Sequence, residues 1–228
     1  VFVSLGGVAS YEDTGLSFLY HPDERVIALE PSMGGTEGGT LVSLFGANLV
    51  GASGATYRVF VGSGPSQEVE GRLVSSTLVV VTMPPRAAGL AVVEVSNNGG
   101  ADRSSGGPKF LYGAALSVAA VMPSRGGNAG GSFVTVLGSG FLASQDLSCK
   151  FGDDVTASSF VTSSSVVCVT PQHDQGNVTL EVSGNGGDYT VSGTQFSYFE
   201  PGAWFLSPSR GSASGLTMVT LRSERLVG

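Results

Sequence analysis

Pro31-Ser32-Met33-Gly34-Gly35-Thr36-Glu37-Gly38-Gly39-Thr40-Leu41-Val42-Ser43-Leu44-Phe45-Gly46 decides how the chain is read, because it comes back. It recurs as Pro123-Ser124-Arg125-Gly126-Gly127-Asn128-Ala129-Gly130-Gly131-Ser132-Phe133-Val134-Thr135-Val136-Leu137-Gly138, and starts a third time at Pro208-Ser209-Arg210-Gly211. The Pro-Ser pairs are spaced by 92 and 85 residues. A second mark, Phe-x-Tyr, stands at Phe18-Leu19-Tyr20, Phe110-Leu111-Tyr112 and Phe196-Ser197-Tyr198, spaced by 92 and 86. Two independent marks in step over the whole length mean tandem copies of one unit.

Residues 1–20 read as the end of one copy, since Val1-Phe2-Val3-Ser4 matches Val93-Glu94-Val95-Ser96 and Leu180-Glu181-Val182-Ser183 and a closing strand follows over Leu16 to Tyr20. Complete copies span 21–112 and 113–199, and 200–228 opens a fourth. There Leu216 stands where Gly39 and Gly131 stood, and Ser223 replaces Gly46 and Gly138, so its turn geometry is expected to depart. Because the chain opens at Val1 without Met, it reads as an internal segment of something longer, and no leader is visible.

Alternation marks the strands. Val42 and Leu44, and Val134 and Val136, are expected to face a core that Leu49 and Phe141 close. Strands follow at Tyr57–Val61, Thr77–Thr82, Gly89–Ser96 and Lys109–Tyr112, with turns at Asn97-Asn98-Gly99-Gly100 and Asn185-Gly186-Gly187 that tolerate positive φ. Proline ends a strand because it has no N–H to donate. The glycine pairs after it are expected to let the chain turn sharply from one sheet to the other. Seven or so short strands per copy describe an all-β chain of tandem immunoglobulin-like β-sandwiches, two complete and two partial.

Composition removes several classes of function. The 35 glycines are about twice the usual share. A net charge of −7 with only eleven basic residues, in no cluster, argues against nucleic-acid binding. No stretch reaches the roughly 18 apolar residues that span a bilayer, so this segment is not expected to insert directly into a membrane. His21 and His173 are the only histidines, each in a loop, and there is no Gly-x-Ser-x-Gly elbow. The glycine-rich segments are not followed by the Lys-Ser/Thr and helix of a phosphate loop. Asp153-Asp154 fits a two-residue turn better than a calcium site, because neighbours on a strand point to opposite faces. No catalytic residue, metal or cofactor is expected.

The pattern resembles the IPT/TIG family, the immunoglobulin-like modules of plexins, Met-type receptors, fibrocystin-like proteins and many large microbial or algal surface proteins. The resemblance rests on Pro123-Ser124-x-Gly126-Gly127, Gly130-Gly131-Ser132, Cys149-Lys150-Phe151-Gly152, Val167-Cys168-Val169-Thr170-Pro171, Val182-Ser183-Gly184-Asn185-Gly186 and Phe196-Ser197-Tyr198, and it covers essentially all of the chain. It implies a disulfide between Cys149 and Cys168 on neighbouring strands; two buried free thiols are the alternative. Alignment on Gly62 and Pro84 puts Val59 and Val81 at the same places in the earlier copy. A bridge would imply an oxidising compartment.

Asn177-Val178-Thr179 is the only N-glycosylation sequon. Tyr20, Tyr112, Tyr198 and Trp204 are candidates for packing at the junctions between copies. The linkers are short, so the array is expected to be semi-rigid and elongated. The expected role is a stalk, filament component or adhesion surface of an extracellular or cell-surface protein. Its partners would be other modules of the same long chain and proteins of an extracellular assembly. Two rivals are a plexin-like or Met-like receptor ectodomain and an accessory module of a secreted polysaccharide-active enzyme.

Overall fold

The computed structural model describes residues 2–4, 11–16, 20–51, 54–62 and 66–223. No helix occurs among the described residues. Compactness divides the chain into two units, residues 1–30, 41–84 and 90–110 in one and residues 31–40, 85–89 and 111–228 in the other.

A short antiparallel pair, β1 (Phe2–Ser4) and β2 (Tyr11–Asp13), comes first. Part of the closing strand expected over Leu16 to Tyr20, residues 17–19, lies outside the described residues. The first sandwich is built from β3 (Arg25–Glu30), β4 (Met33–Gly35), β5 (Leu41–Ala47), β6 (Thr56–Val61), β7 (Gln67–Ser75), β8 (Leu78–Thr82), β9 (Gly89–Ser96) and β10 (Lys109–Gly113). Its hydrogen-bonded order is β3-β5-β8-β7-β6-β9-β10-β4.

The second sandwich repeats that order as β11-β13-β16-β15-β14-β17-β18-β12. Its strands are β11 (Ser117–Met122), β12 (Arg125–Gly127), β13 (Phe133–Ser139), β14 (Ser148–Phe151), β15 (Asp154–Thr162), β16 (Ser165–Val169), β17 (Gly176–Ser183) and β18 (Gln195–Phe199). A last antiparallel pair, β19 (Trp204–Ser207) and β20 (Thr220–Ser223), follows.

The opening turn is assembled in three steps. Proline stops the first strand, so β3, β11 and β19 end immediately before Pro31, Pro123 and Pro208. The first glycine pair is then extended, and β4 and β12 run parallel to β10 and β18, which moves the chain into the second layer. Only Gly there lets the backbone lie this close: a Cβ on Gly126 would sit 2.9 Å from Phe196 Cζ. The second glycine pair makes the bend, with φ of 72° and 88° at Gly38 and Gly39 and of 76° and 78° at Gly130 and Gly131. The two pairs therefore divide the work that the repeat pattern assigns to both alike.

The segment after Pro208, where the repeat pattern diverges, keeps this bend. Gly215 has φ 81° and Leu216 φ 68°, so a leucine occupies the left-handed position of Gly39 and Gly131. That conformation costs a leucine on the order of 1 kcal/mol through its Cβ. Leu216→Gly is accordingly expected to slow amide exchange across β19 and β20 by a few-fold; unchanged exchange would show that the bend is not limiting there.

The alternating residues meet the core as expected. Val42, Leu44, Val134 and Val136 are buried, and so are Leu49 and Phe141. Among the strands of the first sandwich that alternation does not mark is β7, the counterpart of β15 in the second. β15 changes layer along its length, laddering with β14 through Asp154–Ala157 and with β16 through Ser158–Thr162, while β7 ladders with β6 through Gln67–Arg72 and with β8 through Gly71–Ser75. β7 keeps an inner face at Val69, Gly71 and Leu73, but a half-buried valine and a glycine leave its apolar alternation too weak to announce it.

Candidate interaction surfaces around a bridged core

Cys149 on β14 and Cys168 on β16 are joined by a disulfide, with Cα atoms 6.1 Å apart. The two strands are not neighbours, contrary to the expectation from the family pattern. β15 lies between them in the sheet order, pairing β14 with one half and β16 with the other, so the bridge ties the two layers together. Both cysteines are buried in a core with Val134, Val136, Phe151, Leu180, Val182, Phe196 and Tyr198. In the first sandwich Val59 and Val81 occupy the matching places on β6 and β8 and are also buried. One sandwich thus uses a covalent link where the other uses two valines.

The structure corrects the assignment of the tyrosines to junctions. Tyr112 and Tyr198 are interior residues. Tyr198 packs edge-on to Phe196 at 5.0 Å and stacks on His173 at 4.9 Å. Burial, with the charge of Asp154 adding to it, pushes its phenol up to about 12. Burial raises Tyr112 as well, opposed by the charge of Arg86. The Phe-x-Tyr mark puts both aromatic rings on the same face of a strand, and that face is the inner one. Tyr20 is 87% exposed. The side chain of Trp204 lies outside the described residues, but its backbone pairs with Ser223 as Val26 pairs with Gly46 and Val118 with Gly138. That register belongs to the first strand of a sandwich.

The first sandwich carries a polar cluster at the start of β3. Glu24 is buried and accepts a 2.7 Å hydrogen bond from the Tyr57 hydroxyl, which also lies 3.1 Å from the Val50 carbonyl oxygen. Asn97 Nδ2 is 2.9 Å from His21 Nε2. Burial raises the Glu24 carboxyl above its ordinary value by more than Tyr57, His21 and Asn97 lower it. A carboxyl raised on folding supports stability below its unfolded value of 4.5, and that support is lost as pH rises through the folded value. Glu24→Gln keeps an acceptor for Tyr57 and has no proton to lose. It is expected to melt higher than the parent at pH 7, with the gap closing as pH falls to 4.5. A gap constant with pH would rule out this role.

Other charged groups are absorbed by structure. Burial alone would raise Glu181, yet hydrogen bonds from the Thr190 and Ser192 hydroxyls and the Ser192 and Gly193 amides hold it below the usual carboxylate range. It fastens residues 190–194 to β17. The expected turn at Asp153-Asp154 is shifted by one residue: Gly152 and Asp153 make it, Gly152 with φ 62°, and Asp154 opens β15. Among the described residues no group of three His, Cys, Asp or Glu side chains is placed to hold a metal.

What remains is surface. On the outer face of β11, β13 and β16, Met122 and Phe133 are 61% and 73% exposed, and Leu137 and Val169 stand beside them. None of these three strands contains a charged residue. In the first sandwich the matching strands are β3, β5 and β8; β3 carries Arg25 and Glu30, and β5 and β8 carry no charge. On the other layer of the second sandwich, Asn177 and Thr179 project outward from β17, both exposed. The uncharged face was missed by sequence reasoning, although the absence of charge from Ser117–Met122 and Phe133–Ser139 is visible without coordinates.

Two copies of one immunoglobulin-like sandwich with the same strand order define a tandem-sandwich protein. The IPT/TIG domain model matches residues 25–112 and 116–198, and the chain belongs to the IPT/TIG family. Over 110 residues it is 30% identical to a probable serine/threonine-protein kinase, drkC, of Dictyostelium discoideum; the match covers 44% of this chain and 15% of that protein. Among solved structures, the extracellular region of plexin A4 aligns with 89% of this chain and 18% of its own, at 20% identity and a TM-score of 0.55. Invasin, a bacterial integrin-binding protein, aligns with 88% of this chain and 45% of its own, at 14% identity and a TM-score of 0.30. The chain spans a small part of the kinase and of plexin A4. Its two sandwiches are structural or interaction modules of the IPT/TIG kind.

Proposed function

We propose that the chain is a non-catalytic, protein-binding segment of an extracellular or cell-surface protein, with residues 1–20 and 200–228 belonging to neighbouring copies of the same module. The uncharged, exposed face of β11, β13 and β16 carries this reading, in a sandwich bridged by Cys149 and Cys168. Large exposed apolar side chains gathered on one sheet face favour contact with protein. A disulfide persists in an oxidising compartment. Non-reducing peptide mapping together with antibody staining of unpermeabilised cells tests this. A linked Cys149–Cys168 peptide and surface signal are the expected result; two alkylatable thiols in an internal protein would overturn it. Beads coated with the segment are expected to bind source cells, and Met122→Lys with Phe133→Glu to abolish binding without unfolding the sandwich.

The Dictyostelium relative favours a second reading, in which the segment is the outer part of a signalling receptor. A membrane span and kinase domain in the same reading frame would support it, and a frame filled with further sandwiches would not.

A further inference from the structure

We infer that Asn177 is an N-glycosylation site, and that its glycan covers one layer of the second sandwich while leaving the uncharged face of the other layer open. The inference rests on the extracellular reading above. The sequon Asn177-Val178-Thr179 lies at the start of β17, where strand alternation puts Asn177 and Thr179 on one face and Val178 on the other. Asn177 and Thr179 point outward and are exposed, while Val178 turns in and packs against the bridged core. Asn177 pairs with Ser197 of β18, whereas β14 ladders with β17 only from Leu180 onward. In the ladder Asn177 therefore has the short side chain of Ser197 beside it, with Arg125 of β12 in register on the far side of Ser197. The first sandwich lacks this site: the matching positions on β9 are Leu90, 58% exposed, and Val92.

The chemistry is a glycosyl transfer from a lipid-linked oligosaccharide, the co-substrate of the secretory pathway. The Asn177 Nδ2 bonds to C1 of the first sugar as the bond from C1 to the lipid pyrophosphate breaks. The amide loses one proton and the lipid pyrophosphate leaves, with no change of oxidation state. The glycan stands on the β14-β17-β18 layer, and the face of β11, β13 and β16 belongs to the other layer. A bulky polar chain on one layer confines protein contact to the other.

The test is to secrete the chain from a eukaryotic cell behind a secretory leader and follow its mobility with and without peptide N-glycanase. The expected result is one mobility shift removed by the enzyme, with Asn177 converted to Asp in the released peptide. Asn177→Gln and Thr179→Ala are expected to abolish the shift, and Thr179→Ser to keep it. Secreted protein with its disulfide formed and Asn177 unmodified overturns the site and leaves the extracellular reading intact. Protein retained in the cell with free thiols overturns the extracellular reading, and the site falls with it. A glycan that blocks bead binding through Met122 and Phe133 would overturn the division of faces.

Discussion

Replacing Cys149 and Cys168 together by valine is expected to lower the stability of the second sandwich by about 3 kcal/mol. The bridge closes a loop of 19 residues, and opening it returns conformational freedom to the unfolded chain. Valine is the informative substitute, because Val59 and Val81 fill the same places in the first sandwich and are buried there. It restores apolar volume and removes only the link. The alanine pair also leaves space beside Phe151 and Val134, so it is expected to lose about 1 kcal/mol more. Urea titration followed by circular dichroism, with amide exchange to separate the sandwiches, measures both. Exchange in the first sandwich should not change. A valine pair as stable as the parent would mean that packing alone holds the layers together.

The largest single-residue loss is expected at Phe196. Its ring is fully buried, edge-on to Phe151 at 5.4 Å and to Tyr198 at 5.0 Å, and it fills the space opened by the missing side chain of Gly126. Phe196→Ala is expected to cost about 3–5 kcal/mol, the removed transfer energy plus the cavity. Against a total of about 5–15 kcal/mol for a domain, that leaves the sandwich close to unfolding at ambient temperature. Phe196→Leu fills part of the cavity and should recover roughly half. Phe110→Ala makes the same cut in the first sandwich and should unfold that one alone. Equal losses for Phe196→Leu and Phe196→Ala would indicate that the edge contacts, rather than the volume, carry the energy.

Both expectations use residues that the repeat already singled out, with altered meaning. Phe196 and Tyr198 were visible as a mark that keeps time with Pro123, but a mark that recurs says only that its place is required. Burial shows why: both rings face inward, and the tyrosine placed at a junction belongs to a core. The backbone of Trp204 has the strand register of Val26 and Val118. The candidate surfaces were legible unequally. Asn177 is a three-residue motif and needs no fold to be noticed. The uncharged face combines residues from three strands that are not all consecutive in the chain, and strand order brings Val169 beside Phe133 and Met122.

By itself the sequence determined the repeat, the strands that bury one face, and the place where each sandwich starts. Those properties are local: proline cannot donate to a ladder, glycine accepts positive φ, and alternation follows from the two-residue period of a strand. Tertiary structure decided what depends on partners. It made β15 pass between layers and put the disulfide across the layers instead of between neighbouring strands. It also sorted the exposed residues of the second sandwich onto separate layers, with Met122 and Phe133 on an uncharged face and Asn177 and Thr179 on the other layer. Each of these depends on which strands lie side by side, and pairing energy depends on residues distant in the chain. The opening Pro-Ser-Gly-Gly stretch shows both levels, since its glycines are required locally for the bend and at Gly126 by the Phe196 ring that lies against it.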